Sequence, residues 1–484
     1  MLALHCERER GEQLHATSRR RSPPRTGEAA FGCVDGRVHV GRAGASHARD
    51  LFLGGRVDGH ERFVNGAGRF LTVDEEPDLH RLTHPVHLSL GEPRRGPPPG
   101  AATPPMIDHH AHPFDREPGP FVPTRLAIDL DDLDGGRPTA PVFPDTVWRA
   151  LFMSRLARRF GVTVDELPAA REESAVDYPA HVRSLFSDAG IDELVIDPGW
   201  PAGSERYAED FARLSGCTVH LLWRLEPLVD ELLDCGAGVD EILAEVDERI
   251  ASAAGSGYCG FKSVIAYRSG LAVDPGATVA RAESALRQGG RAASKPLRDL
   301  LFQRLLAGAA DTELPVQIHT GFGDSDLRLR NANPTLLEDV LDTPAGRHAP
   351  VVLLHSGFPY QDEASYLTAA RSNVHVDLSL VNIFAPANLV DGVLRVVGVA
   401  PVDRVLFGTD AYLLPEAFWF AAVMLREAWH VVRDGLLAQG MDPGWATAAE
   451  RAMFDGNARR LYRLDGRGGT RPSSPLAPPQ EDDQ

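Results

Sequence analysis

The chain has 484 residues, 43% of them hydrophobic and 24% charged, and its 68 acidic and 50 basic side chains give a net charge of −18. This length suits one large domain with additional segments, and the acidity argues against a nucleic-acid-binding protein, which carries a basic face. No apolar run is long enough to predict a membrane span. The five cysteines are scattered without a CxxC pair, so we expect neither disulfides nor a cysteine zinc site. With a polar first segment in place of a secretory signal, these features predict a cytoplasmic protein.

The composition predicts that residues 1–105 are a poorly ordered extension. Their balance of charge is +2, against −20 for residues 106–484, and stretches rich in Pro, Gly and Arg at 18–28 and 92–105 indicate linkers. Short alternating runs at 36–40, 50–55 and 69–73 predict a few weak strands at most. Two explanations stay open: the native protein starts at Met106, or a small β-domain precedes an enzyme. Residues 466–484 form a polar, proline-rich tail that we expect to be disordered.

From residue 106 to about residue 465, apolar runs alternate with amphipathic segments. Near-continuous apolar strands are typical of a parallel sheet that is buried on both faces. The predicted strands are 106–110, 193–197, 218–225, 260–267, 315–321, 350–357, 374–380 and 404–410. The predicted helical segments between them are 204–215, 229–254, 276–309, 361–371 and 385–398.

This alternation predicts an α/β fold, the (β/α)8 TIM barrel, over residues 106–465. A long insertion after the first strand, at 113–192, is expected to carry extra helices at 145–160 and 177–189. An open, doubly wound sheet is the structural alternative. No GxGxxG motif follows the first strand, which disfavours a dinucleotide site.

Polar side chains occur where the predicted strands end. The first strand ends in DHHAH, and residues two apart share a face of a strand, so His110 and His112 are expected to point at one centre. The fifth, sixth and eighth strands end with His319, His355 and Asp410. Each of these residues alone has an ordinary structural explanation, such as a helix cap for Asp410. Together at the C-terminal end of one barrel, imidazoles and a carboxylate indicate a catalytic metal site.

The fourth strand carries Lys262, and Lys262 and Lys295 are the only lysines among the 50 basic residues. A single lysine is most often a surface charge. Arginine is not equivalent to lysine as a base or as a point charge, so a lysine retained at this strand position in an arginine-rich chain indicates a role without defining it.

Five residues after the fourth and fifth strands are candidate substrate contacts: Arg268, Asp324, Asp326, Arg328 and Asn333. The alternative is a solvated turn rich in Asn and Asp. Arg268 is the strongest candidate, because its guanidinium group fits a substrate carboxylate.

These motifs resemble the amidohydrolase superfamily, specifically its amidohydrolase-2 branch. The first strand matches the DxHxH motif, the histidines of the fifth and sixth strands match in position, and GTDA at 408–411 matches the aspartate of the eighth strand. GNARRLY at 456–462 resembles the usual C-terminal helix of the branch. The segments 260–271, 319–334 and 355–367 resemble the amidohydrolase-like half of proteins fused to glutamine-synthetase-type domains.

The resemblance implies one divalent metal ion, which we expect to be zinc, and it implies the ligand set His110, His112, His319 and Asp410. It further implies that His355 hydrogen-bonds or polarises the substrate, or binds a second metal ion. As a mechanism, we expect Asp410 to take a proton from the attacking water and pass it to the leaving group. Lys262 would act in catalysis, either unmodified or as a carboxylated ligand that bridges a second metal ion.

The leading prediction is a metal-dependent hydrolase that cleaves an amide C–N bond of a small molecule with metal-bound hydroxide. The resemblance favours a γ-glutamyl amide as the substrate. The alternatives on the same site are a decarboxylase of an aromatic or unsaturated acid and a uronate-isomerase-like enzyme. A non-catalytic barrel that binds a partner is disfavoured by the intact ligand set. We expect no nucleic-acid or membrane partner, and a homodimer is the default oligomer. The apolar segment 417–425 would either serve that contact or be buried against the barrel.

Overall fold

The computed structural model describes residues 105–121, 146–200, 203–289, 293–324, 326–466 and 469–470, together with the backbone of three short strands before residue 73. The chain divides into two units, Met1–Leu90 and Gly91–Gln484. In the first unit, β1 (Leu53–Val57), β2 (His60–Val64) and β3 (Phe70–Thr72) form an antiparallel sheet. The predicted strand at 36–40, both linkers except residue 105, and nearly all of the tail lie outside the described residues.

Eight parallel strands form the sheet of the second unit, and each strand pairs with its neighbours in the order of the chain. They are β4 (Met106–Ala111), β5 (Ile191–Ile196), β6 (Thr218–Arg224), β7 (Tyr258–Ser263), β8 (Val316–Ile318), β9 (Val351–Leu353), β10 (Val374–Asp377) and β11 (Val405–Leu406).

The backbone after β11 meets β4 and closes the barrel. The amide of His109 donates to the carbonyl oxygen of Phe407 at 3.2 Å, and the amide of Asp410 donates to that of His110 at 2.8 Å. Closure of this kind removes the exposed sheet edges that an open sheet would present. The predicted TIM barrel is therefore confirmed.

Helices surround the barrel and fill the insertion after β4. They are α1 (Val147–Phe160), α2 (Leu167–Ser174), α3 (Tyr178–Ala189), α4 (Ala208–Ser215), α5 (Leu225–Asp234), α6 (Val239–Ser252), α7 (Ile265–Arg268), α8 (Val279–Gln288), α9 (Lys295–Thr312), α10 (Glu338–Leu341), α11 (Gln361–Ala370), α12 (Val381–Phe384), α13 (Leu389–Val397), α14 (Pro415–Ala438), α15 (Pro443–Arg451) and α16 (Asn457–Tyr462).

Several predicted elements differ from the structure. The segment 276–309 contains α8 and α9 as separate helices. The segment 229–254 is two helices, because the chain turns between them with Gly236 in the left-handed region at φ 75°. The predicted strand 260–267 ends at Ser263 and is followed by the short helix α7.

The interior of the barrel is packed with side chains. Buried apolar residues of six strands form one cluster, which includes Ile107, Val195 and Leu222, and Tyr462 of α16 joins the same cluster. The hydroxyl of Tyr462 lies 3.0 Å from Nδ1 of His109. These residues fill the interior of the barrel. A site that binds a substrate is therefore expected at the C-terminal ends of the strands.

The apolar segment 417–425 lies in α14, where all of its residues except Val423 are buried within the chain. It therefore packs against the barrel, as the second interpretation of the sequence expected. Within the described residues, no helix is both long and apolar enough to span a membrane.

Candidate metal centre

Asp410 follows the last barrel strand and contacts two histidines at the end of the first. Its Oδ1 lies 2.9 Å from Nε2 of His110 and 3.3 Å from Nε2 of His112. Asp410 has φ 55°, a left-handed conformation that is uncommon outside glycine and that occurs most often where function requires it. Next to it, both the amide and the hydroxyl of Thr409 donate to the buried carboxylate of Asp108. These bonds fix the backbone that carries Asp410.

His319 and His355 meet beside this group. Nε2 of His355 lies 3.0 Å from Nδ1 of His319, and its Nδ1 lies 2.8 Å from Oγ of Ser379. The same Nδ1 is 3.9 Å from Oδ2 of Asp410. His355 is also left-handed, with φ 64°, and its amide donates to the carboxylate of Asp377. The ring of His355 is consequently held within reach of Asp410, and the ring of His319 is held against that of His355.

Lys262 approaches His110 from β7. Its Nζ lies 3.2 Å from Nε2 of His110 and 3.8 Å from Oδ2 of Asp197, and the residue is 1% exposed. Asp197 also accepts hydrogen bonds from Nε and Nη2 of Arg224. The carbonyl oxygen of Asp197 lies 3.2 Å from Nδ1 of His112. Such a contact holds Nδ1 of His112 as the protonated nitrogen and leaves Nε2 with its lone pair.

Burial and mutual charge favour neutral imidazoles and ionised carboxylates here. Burial lowers the pKa of His110 to about 3 and that of His355 to about 4. Burial also lowers the pKa of Lys262 to about 8, against the opposing charge of Asp197. The pKa of Asp410 would be raised by burial, but the contacts of its carboxylate with His355, His110 and His112 hold it well below its usual value. Neutral imidazole and ionised carboxylate are the forms that bind metal ions.

The residues present fit a metal ion. Ligand atoms of His110, His112 and Asp410 all lie within 4.8 Å of one another. The buried Nε2 of His319 has no hydrogen-bond partner among the described residues, and an unsatisfied buried nitrogen is costly unless another group completes it. Nitrogen and carboxylate donors of this kind suit zinc and related divalent ions.

The predicted substrate contacts have more varied surroundings. Nε of Arg268 lies 3.0 Å from Oδ2 of Asp230, so part of its guanidinium group is used in an ion pair. Oδ1 of Asn333 accepts the amide of Thr335 at 2.9 Å and thereby caps the short turn that begins at Pro334. The structure thus gives these two residues partners of their own.

The other three predicted contacts, Asp324, Asp326 and Arg328, are exposed on the loop after β8. The amide of Asp324 donates to the hydroxyl of Tyr267, whose ring centre lies 4.6 Å from that of His319. Asp324 is therefore linked to the histidines through Tyr267.

The sequence analysis missed four residues that contact the centre: Asp197, Arg224, Tyr267 and Trp200. Asp197 directly follows β5 and Arg224 is the last residue of β6, so the strand-end argument finds both when it is applied to every strand. Tyr267 and Trp200 lie on the segments that follow β7 and β5. Their role depends on how those segments fold, which the sequence pattern does not show.

Comparison with known proteins places this geometry in context. A structure from Lactobacillus casei, designated a metal-dependent hydrolase, is 27% identical with a TM-score of 0.65 and covers 75% of this chain and 96% of its own. Glucuronate isomerase from Caulobacter crescentus has a TM-score of 0.56 at 16% identity, covering 79% of this chain and 98% of its own. The second likeness shows the fold alone.

Protein fluG of Emericella nidulans is 33% identical over 228 residues, which are 43% of this chain and 26% of that protein. The chain thus spans about a quarter of the length of this relative. The model of the Amidohydrolase family, Amidohydro_2, matches residues 107–464, a range that includes the barrel strands, apart from Met106, and all the residues of the centre. The predicted membership is confirmed: the chain belongs to the Amidohydrolase family.

Proposed function

We propose that this chain is a zinc-dependent hydrolase that cleaves the amide C–N bond of a small γ-glutamyl amide. The observation that carries the proposal is the convergence of His110, His112 and Asp410, with His319 and His355 beside them. When bound at such a site, a divalent ion lowers the pKa of water and polarises a carbonyl group. His110, His112, His319 and Asp410 would hold the ion.

The carboxylate of Asp410 is suited to accept the proton of the attacking water. It is ionised, since its pKa lies well below the usual value, and only 11% of its side chain is exposed. After accepting this proton it would transfer it to the nitrogen of the leaving group, which must be protonated to depart as a neutral amine. His355, with Nδ1 3.9 Å from Asp410, would donate a hydrogen bond to the substrate oxygen.

Two cationic side chains near the histidines suit a substrate carboxylate. Lys262 and Arg224 share the single carboxylate of Asp197, so one carboxylate serves two cationic groups. A glutamyl carboxylate would pair with the second of them. The γ-glutamyl assignment also draws on the resemblance of the segments 260–271, 319–334 and 355–367 to proteins fused to glutamine-synthetase-type domains.

Metal analysis and product analysis test the proposal together. Zinc-loaded protein is incubated with L-glutamine and with N-substituted γ-glutamyl amides, and released ammonia, amine and CO2 are measured. We expect about one zinc ion per chain and release of ammonia or amine, with both products lost in Asp410→Asn. Release of CO2, or an isomerised sugar acid in a parallel assay with uronates, would overturn the hydrolase assignment. Two ions per chain with a carboxylated Lys262 by mass spectrometry would replace the one-metal form.

A further inference from the structure

An exposed tryptophan lies beside the candidate metal centre. Trp200 follows β5 by four residues and is 47% exposed, although tryptophan usually buries most of its surface. The preceding Gly199 is anchored, because its amide donates to Oδ1 of Asp197 at 3.0 Å. A methyl group at Gly199 would lie 2.4 Å from Cδ of Arg224. The backbone before Trp200 is thus fixed against the centre, and the exposed indole is positioned by it.

Trp200 and Tyr412 form an aromatic wall next to the metal ligands. The ring centre of Trp200 lies 6.4 Å from that of His112 and 5.5 Å from that of Tyr412, with interplanar angles of 88° and 82°. Tyr412 follows Asp410 by two residues. Both contacts are perpendicular, and no aromatic ring in the described part of the chain stacks parallel on the indole. Because about half of Trp200 is exposed, part of the indole surface is open to a planar group.

The ammonium group of Lys262 and the indole of Trp200 lie at different depths below the protein surface. Lys262 is 1% exposed, whereas Trp200 is about half exposed. A substrate that places its charged end at the buried Lys262 would have its other end near the rim. The scissile bond lies between the two ends, so the rim would hold the amine that departs.

We propose that Trp200 and Tyr412 form a subsite for an aromatic ring on the leaving amine, so that the preferred substrates are amides of arylamines. This rests on the proposed amide hydrolysis. Hydrolysis adds water across the C–N bond: the acyl carbon takes the hydroxyl group and the nitrogen takes the proton, releasing an arylamine. The ring stacks on Trp200 in both the substrate and the product.

Two substrates that differ only in the leaving amine test the subsite. The ratio of kcat/KM for L-γ-glutamyl anilide to that for L-glutamine is measured with zinc-loaded protein. We expect the native chain to favour the anilide and W200A to lower that ratio about tenfold, since a stacked aromatic contact contributes on this scale. W200F, which keeps a ring, is expected to retain most of the preference. W445A is the matched control, because Trp445 is 44% exposed on α15, outside the site.

A second measurement keeps the subsite separate from the reaction. Saturation-transfer NMR detects binding of aniline itself to the zinc-loaded protein. We expect the signal in the native chain and in W445A and its loss in W200A. An unchanged anilide preference or an unchanged aniline signal in W200A would overturn the subsite. If no amide is hydrolysed while aniline binding still depends on Trp200, the proposed reaction is wrong and the subsite stands.

Discussion

Removal of a buried charge tests how the insertion supports the barrel. Glu416 lies in the first turn of α14, and its Oε1 lies 2.7 Å from Nε of Arg171 and 3.0 Å from Nε2 of His181. All three residues are at most 2% exposed. Nη1 of Arg171 also donates to the carbonyl oxygen of Gly119 at 2.7 Å. The cluster therefore links α2, α3 and the segment after β4 to α14. Asp410 lies on the segment that precedes α14.

Glu416→Leu would leave the charge of Arg171 buried without its carboxylate. Breaking a buried ion pair in this way costs about 3–5 kcal/mol. For the matched range 107–464, an unfolding entropy of about 2.1 cal/mol/K per residue converts this cost into a fall in Tm of about 4–7 °C. Arg171→Met should cost a similar amount. The double variant should lose less than the sum, because no unpaired charge remains.

Thermal unfolding by calorimetry measures these changes. Glu427→Leu is the matched control on the same helix, because Glu427 pairs with Arg155 but its side chain is 48% exposed; an exposed pair contributes at most about 1 kcal/mol. The reasoning would be refuted if the Tm changes of the two single variants simply added up in the double variant. It would also be refuted if Glu416→Leu lowered Tm no more than Glu427→Leu does.

The pH dependence of Tm tests whether the ionised carboxylate of Glu416 stabilises the fold. Burial alone would raise the pKa of Glu416, but the hydrogen bond from His181 and the charge of Arg171 hold it below its usual 4.5. A carboxyl whose pKa is lower in the folded state stabilises the fold above its unfolded pKa and loses this effect as pH falls. The difference in Tm between the native chain and Glu416→Leu should therefore narrow below about pH 4.5.

Three further predictions concern the metal centre. Asp410→Asn should lower turnover at least about 100-fold while metal analysis still finds zinc in the protein; normal turnover would remove Asp410 as the base. Zinc at about 100 times its dissociation constant should raise Tm by about 3–4 °C, from about 2.7 kcal/mol of binding, and this rise should vanish in His110→Ala but persist in a variant of an exposed histidine. Gly323→Ala should lower activity with little change in circular dichroism, because its Cβ would lie 2.0 Å from the hydroxyl of Tyr267 and 2.9 Å from Nε2 of His319; full activity would show that the loop adjusts.

The barrel and its central residues were accessible from the sequence because both follow local rules. Apolar runs mark strands that are buried on both faces, and polar residues at their C-terminal ends mark the site. Ion pairs between distant elements were not accessible. Arg268 was expected to bind a carboxylate of the substrate, and the structure pairs it with the carboxylate of Asp230 on α5. This pairing depends on the packing of α5 against the segment after β7, which no local pattern encodes.

The strands end earlier than the apolar pattern predicts, and the reason concerns the site. The predicted strands 350–357 and 404–410 end at Leu353 and Leu406, and the residues beyond them include His355 and Asp410 with positive φ. In a regular strand, successive side chains point to opposite faces. His110 reaches the centre from within β4, whereas His355 and Asp410 reach it from backbone that has left this pattern. The left-handed turns direct both side chains toward the centre, and the hydrogen bonds of Asp108 and Asp377 to the adjacent backbone hold those turns. Backbone strain at these two positions is thus a local cost of converging ligands from separate strands.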